Sequence, residues 1–163
     1  SLSQVDFKSS DIILDGTFNL GVCGIDSGGN GARLVFGIGG IMNVNQKIWG
    51  ASDFSVSGTL ATTSTDLAAG EFQFVTRTLI TSAGFDGGSI SLGDFIAEDG
   101  GALTKASGIM EGNAADYQGQ YYLYTEDGNV KVQYVVAGAV PEPATATLSL
   151  LGLASLMLRR RRA

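Results

Sequence analysis

The sequence predicts an all-β protein, either a Gly-rich β-sandwich or the end of a β-solenoid, followed by one short C-terminal transmembrane helix. Three observations carry this. Short apolar runs recur about every 8–20 residues with turn signals between them, the spacing of a many-stranded fold. No stretch before residue 140 keeps the i, i+3, i+4, i+7 pattern of an amphipathic helix for long. Glycine supplies 24 of 163 residues and proline only 2, without the Gly-X-Y period of collagen, as expected of a packed chain with many turns.

The elements follow in order. Ile12-Ile13-Leu14 and Thr17-Phe18-Asn19-Leu20 flank Asp15-Gly16, a dipeptide that between two apolar runs predicts a tight hairpin. Asp26 to Gly31 is a Gly-rich loop. Leu34-Val35-Phe36 with Ile38, then Ile41, Met42 and Val44, then Ile48-Trp49, form successive apolar runs. Phe54, Val56 and Gly58 alternate with Ser55 and Ser57, the period of 2 of a strand. Ala61 to Gly70 is small and Thr-rich, a loop with room for one helical turn. Phe72 to Ile80 is a strand, Gly84 to Gly88 a turn, and Ile90 and Leu92 mark a short strand. Residues 102–116 show no clean period. Tyr121 to Thr125 and Val130 to Val136 flank Glu126-Asp127-Gly128-Asn129 and predict the best hairpin of the chain. The segments Gly37–Leu60 and Gly87–Leu103 resemble rungs of a loose repeat, but no fixed period links them.

Composition excludes several chemistries. Histidine is absent, so no Ser-His-Asp triad, Cys-His dyad or HExxH zinc helix can form. Cys23 is alone, so no intrachain disulfide exists; it reads as a small buried hydrophobe in a strand, and its Gly-rich neighbours suggest no activating cationic setting. The net charge of −6 hides an asymmetry. Residues 1–140 hold 6 basic and 15 acidic side chains, while Arg159–Arg162 supply the other four bases. An acidic body with scattered bases repels a phosphate backbone, and nucleic-acid binding is not expected. The opening residues carry no signal-peptide pattern; either a removed leader or a longer precursor accounts for this.

The last stretch is more specific. Val140-Pro141-Glu142-Pro143 ends the β pattern, because the two prolines stop strand and helix alike. Ala144 to Leu158 then carries no charge, and four arginines precede Ala163. As a helix, 15 residues span only about 22 Å, short of a hydrocarbon core of about 30 Å. The segment reads as a short anchor, with Leu148, Leu150, Leu151, Leu153, Leu156, Met157 and Leu158 in the bilayer. Arg159, Arg160, Arg161 and Arg162 act as a cytoplasmic stop. The apolar residues form no single stripe, which argues against an ordinary packed helix.

Pro141-Glu142-Pro143, the apolar segment and the arginine cluster, in that order, resemble the PEP-CTERM sorting signal of Gram-negative bacteria. The resemblance covers residues 140–163, some 15% of the chain. It implies export, transient retention in the inner membrane, and recognition of Pro141, Glu142 and Pro143 by an exosortase. Cleavage by that enzyme then releases the body to the cell surface or extracellular matrix. These residues are features of a substrate and give the chain no catalytic role. The body is also similar, in composition alone, to the final rungs of autotransporter-type passengers, through Phe74–Ile80 and Gly84-Phe85-Asp86-Gly87-Gly88.

The remaining candidates are few. Asp94, Glu98, Asp99 and Glu111 are carboxylates without an obvious pairing, and their Gly- and Ser-rich settings predict turns. Asp26–Gly31 and Asp86-Gly87-Gly88 match neither EF-hand nor nonapeptide calcium spacing, so neither a metal nor any other cofactor is expected. Tyr121, Tyr122 and Tyr124 are possible ligand-binding residues, Tyr122 and Tyr124 on one strand face and Tyr121 on the other; cross-strand packing within the hairpin is the favoured explanation. Trp49 reads as core. The sequence therefore predicts an exported all-β domain over 1–137 and a sorting signal over 138–163. Its expected role is a nonenzymatic structural or adhesive surface protein. A noncatalytic carbohydrate-binding module, or the C-terminal part of a larger surface protein, is the alternative, with surface glycans or matrix proteins as partners.

Overall fold

The computed structural model describes residues 4–7, 11–21, 24–26, 31–140 and 156. Among the described residues, 4–140 are all-β with two 3-10 turns at Ala51–Asp53 and Ala114–Tyr117, and Leu156 is helical. Its first three strands are β1 (Gln4–Asp6), β2 (Asp11–Leu14) and β3 (Thr17–Leu20), and the next three are β4 (Gly24–Asp26), β5 (Ala32–Phe36) and β6 (Ile41–Val44). Each strand of the second set lies parallel to its counterpart in the first. The chain thus turns a corner after each strand and returns one rung higher, laying three parallel sheets around one interior.

The third rung brings β7 (Ile48–Trp49) onto β4 and β8 (Phe54–Leu60) onto β5. An excursion carrying β9 (Thr63–Ser64) follows, before β10 (Phe72–Thr81) returns to pair parallel with β6. A fourth, partial rung adds a parallel bridge from Phe85 to Ile48 and β11 (Ser91–Ala97) on β8. Then the direction changes. After β12 (Thr104–Lys105) come β13 (Gln120–Glu126) and β14 (Asn129–Gly138). They form an antiparallel hairpin, and β14 pairs antiparallel with β10. This hairpin closes one end of the coil. At the other end, among the described residues, β1, β2 and β3 pair on one side only.

The register explains why no fixed period is visible in the sequence. Asp11 pairs with Arg33 and Arg33 with Ser55, a step of 22 residues. Thr17 pairs with Ile41, a step of 24, and Gln4 with Gly24, a step of 20. Corners of different length and the excursion after β8 shift every later rung.

The Asp15-Gly16 hairpin is not formed. β2 and β3 lie in different sheets, and the dipeptide is a corner between them. A two-residue type I′ turn needs φ > 0 at both central residues; neither Asp15 nor Gly16 has it, whereas Asp127 (φ 49°) and Gly128 (φ 78°) do. The first dipeptide is held instead by the next rung, with Gly37 N–H donating to Leu14 O at 2.9 Å and Ile41 N–H to Gly16 O at 3.1 Å. The hairpin expected at 121–136 does form, from Tyr121 opposite Tyr134 to Glu126 opposite Asn129. The excursion over 61–70 contains a two-residue strand and no helical turn.

Alternate residues of β8 point inward and are buried, while Ser55, Ser57 and Thr59 face out. Inward residues of neighbouring rungs stack in columns. In one column Gly58 stands between Phe36 and Phe95, both essentially inaccessible. A Cβ on Gly58 would lie 2.2 Å from the Phe36 carbonyl oxygen, so only glycine fits there. At the rim, the Arg77 guanidinium reaches in from β10 and donates to Gly37 O (2.8 Å) and to Gly40 O, tying the second-rung corner to the third rung. Burial lowers its pKa.

Cys23, most of the Asp26–Gly31 loop, Pro141, Glu142, Pro143, and the anchor and arginine residues other than Leu156 lie outside the described residues. Among the described residues no helix is long and apolar enough to cross a membrane.

Candidate functional site

Strand alternation sends the tyrosines of β13 to opposite faces. Tyr122 and Tyr124 stand half-buried on the outer face, rings stacked at 5.6 Å and 14° between planes. Across the hairpin they face Gln133 and Lys131. Lys131 donates to a Glu126 carboxylate oxygen, and that contact raises the lysine pKa. Beside the pair, the segment 106–119 crosses the outer face of the sheet as a strap. It is held where Gln133 Oε1 accepts from Met110 N–H (2.8 Å) and Gln133 Nε2 donates to Met110 O (3.0 Å). Tyr117 of the strap packs on Phe74 at 5.7 Å.

Tyr121 does not belong to a surface site. It is 1% exposed, tilted against Phe95 at 5.7 Å, and burial raises its pKa. Its hydroxyl accepts from Phe95 N–H at 3.2 Å and donates to Gly93 O at 3.4 Å. The inward face of β13 meets the apolar interior, so a ligand cannot reach this ring. Trp49 is half-buried against Gly24, where a Cβ would meet the indole at 2.0 Å.

Asp94, Glu98 and Asp99 have partners within the protein. Asp94 pairs with Lys105 at 3.1 Å. Glu98 Oε1 accepts from Thr63 N–H at 2.9 Å and from the Thr63 hydroxyl. Asp99 Oδ1 accepts from Gly101 N–H at 2.8 Å, an Asx turn. Glu111 is exposed on the strap. Among the described residues, no three His, Cys, Asp or Glu side chains are grouped to hold a metal ion.

A second surface feature was not anticipated from the sequence. β11 carries a bulge. Leu92 pairs with Val56 and Phe95 with Gly58, so Gly93 and Asp94 together oppose Ser57. Gly93 sits so close that a Cβ would be 2.6 Å from Val56 O. With no side chain there, the outer face of the sheet sinks into a depression of about 440 Å³ between β5, β8 and β11. Arg33, Ser55, Ser57, Thr59 and Asp94 contribute polar groups, and Val35 and Ile96 apolar ones. Tyr121 clasps the bulge from beneath, through Gly93 and Phe95. The sequence does carry a trace of this. The inward positions step from Ile90 to Leu92 by two, then to Phe95 by three, and to Ala97 by two, which is the mark of one extra residue. No protein-family model, curated protein or solved structure matches the chain.

Proposed function

We propose that this chain is an exported, nonenzymatic structural or adhesive protein of the cell surface or extracellular matrix. On this reading an exosortase sorts and cleaves it at the C-terminal signal. The observation that carries the proposal is the order of the tail: Pro141-Glu142-Pro143, an uncharged stretch to Leu158, and Arg159–Arg162. The fold is compatible with such processing. β14 ends at Gly138, so a cut in the Pro-Glu-Pro region would remove no strand. The short apolar helix would hold the chain transiently in the inner membrane, with the arginines inside and the acidic body outside. A rigid stack of hydrogen-bonded rungs suits a structural or adhesive role better than one needing moving parts.

The test is the intact mass of the protein recovered from the native cell surface. The expected species ends near Pro141–Pro143. Surface material that retains Arg159–Arg162 refutes the sorting reading.

A specific observation favours a second reading, that residues 1–137 close a longer coil. The first rung is paired on one side only among the described residues, and its inward Phe18 is 38% exposed. Further parallel rungs stacked there would bury Phe18 and satisfy the edge. The sequence of the native precursor discriminates: a leader adds a charged segment and an apolar run of roughly 15–30 residues in all, whereas a longer coil adds further sets of three short strands at steps of 20–24 residues.

A further inference from the structure

We infer that the depression over the β11 bulge is a binding site for a neutral saccharide. The inference deepens the surface-protein reading and rests on it, by naming the class of partner the surface would hold.

A bulge in an otherwise regular parallel sheet is a feature to be explained, since it breaks ladder pairing and re-aims side chains. Here the break is built in from both sides. Glycine is required at 93 by the approach to Val56 O, and the buried Tyr121 hydroxyl holds Gly93 O and Phe95 N–H. The result is an open, shallow depression of about 440 Å³ on the sheet face.

Its chemistry selects among ligands. The two charged groups at its rim are neutralised within the protein. Arg33 is paired with Asp11 by two hydrogen bonds, from Nε at 2.9 Å and from Nη2, and Asp94 with Lys105. A phosphate, sulfate or uronate would have to compete with Asp11 for the guanidinium, and a cation would find a single carboxylate. A neutral ligand displaces neither pair. The hydroxyls of Ser55, Ser57 and Thr59 line the floor at every second position of one strand, each able to donate and accept. The guanidinium and carboxylate retain further planar hydrogen-bonding capacity. Val35 and Ile96 offer apolar contact alongside. Hydroxyl groups with an adjoining apolar wall complement a sugar ring, which presents hydroxyls at its edge and C–H groups on its faces.

The experiment uses the full chain on a printed panel of neutral gluco-, galacto- and manno-oligosaccharides, with sulfated and uronic-acid chains beside them. The wild-type chain is expected to retain at least one neutral oligosaccharide. Ser57→Trp, which fills the depression from an outward position, and Asp94→Ala, which removes a rim acceptor, are each expected to weaken retention at least tenfold. Tyr122→Ala on the other sheet should leave it unchanged. Circular dichroism matching the wild type establishes that the variants fold. Retention of no neutral sugar, preference for the anionic chains, full binding by Ser57→Trp and Asp94→Ala, or loss on Tyr122→Ala alone would each overturn the inference. The mass of the surface-recovered protein is independent of sugar binding, so failure here and failure of the sorting reading are distinguishable.

Discussion

Gln133 offers the most exacting test of how this fold is held. Its side chain is 9% exposed on the outer face of β14, where it mimics a neighbouring strand. Its carbonyl accepts from Met110 N–H and its amide donates to Met110 O. Met110 itself is 2% exposed. Gln133→Met keeps the shape and removes both partners, leaving a buried backbone donor and acceptor unpaired. Each such group costs about 1–3 kcal/mol. The total cannot exceed what it costs to lift the strap, which exposes Met110, worth about 1.5–3 kcal/mol, and breaks the Tyr117–Phe74 contact, worth about 0.5–1.5 kcal/mol. The expected loss is therefore about 2–4 kcal/mol. With a urea slope of about 2 kcal/mol/M the midpoint should fall by about 1–2 M, followed through the fluorescence of Trp49, the only tryptophan. If the strap lifts locally, the loss appears instead as faster cleavage after Glu111 by a Glu-specific protease. A midpoint within about 0.25 M of wild type, with unchanged cleavage, would refute the reasoning.

Two further outcomes follow from the packing. Gly58→Ala places a methyl 2.2 Å from a neighbouring rung's carbonyl, and the nearest atoms are all Phe36 backbone, so no flexible group can give way. A loss of about 3 kcal/mol or more is expected by urea denaturation, and a loss under about 1 kcal/mol would show that the rungs can separate. Tyr121 and Tyr134 both have pKa values raised by burial above the ordinary 10.0. In the unfolded chain they ionise first, so stability is intact below pH 10 and declines as pH rises from 10 through the folded values. Tyr134→Phe should reduce that alkaline decline in a pH series of urea melts; an identical decline in the variant would assign it to other groups.

Much of the β character was legible along the chain. Period-2 alternation located β8 and β14, and Asp127-Gly128 located the closing turn, because the turn's conformation is demanded by the residues that form it. Asp15-Gly16 misled because the same dipeptide serves a corner as well as a hairpin. Which one forms depends on the partner that takes the strand edge, and β5 lies in the next rung. Tyr121, Tyr122 and Tyr124 look alike in sequence. Alternation assigns Tyr121 to the face opposite Tyr122 and Tyr124, but only packing against Phe95 shows that its face is the interior. The depression on β11 left a trace of one extra residue in the spacing of Ile90, Leu92, Phe95 and Ala97, yet its walls come from three strands.

By itself, then, the sequence determined the class of structure, the absence of imidazole chemistry, and the separation of an acidic body from an arginine-ended tail. These follow from residue type and local order. Only the tertiary structure decided that the strands coil in parallel rungs, that the last hairpin caps them, and that a glycine bulge sinks a neutral polar hollow into one face. Each of those depends on hydrogen bonds between residues 20 or more positions apart, where unequal corners erase any period the chain could display.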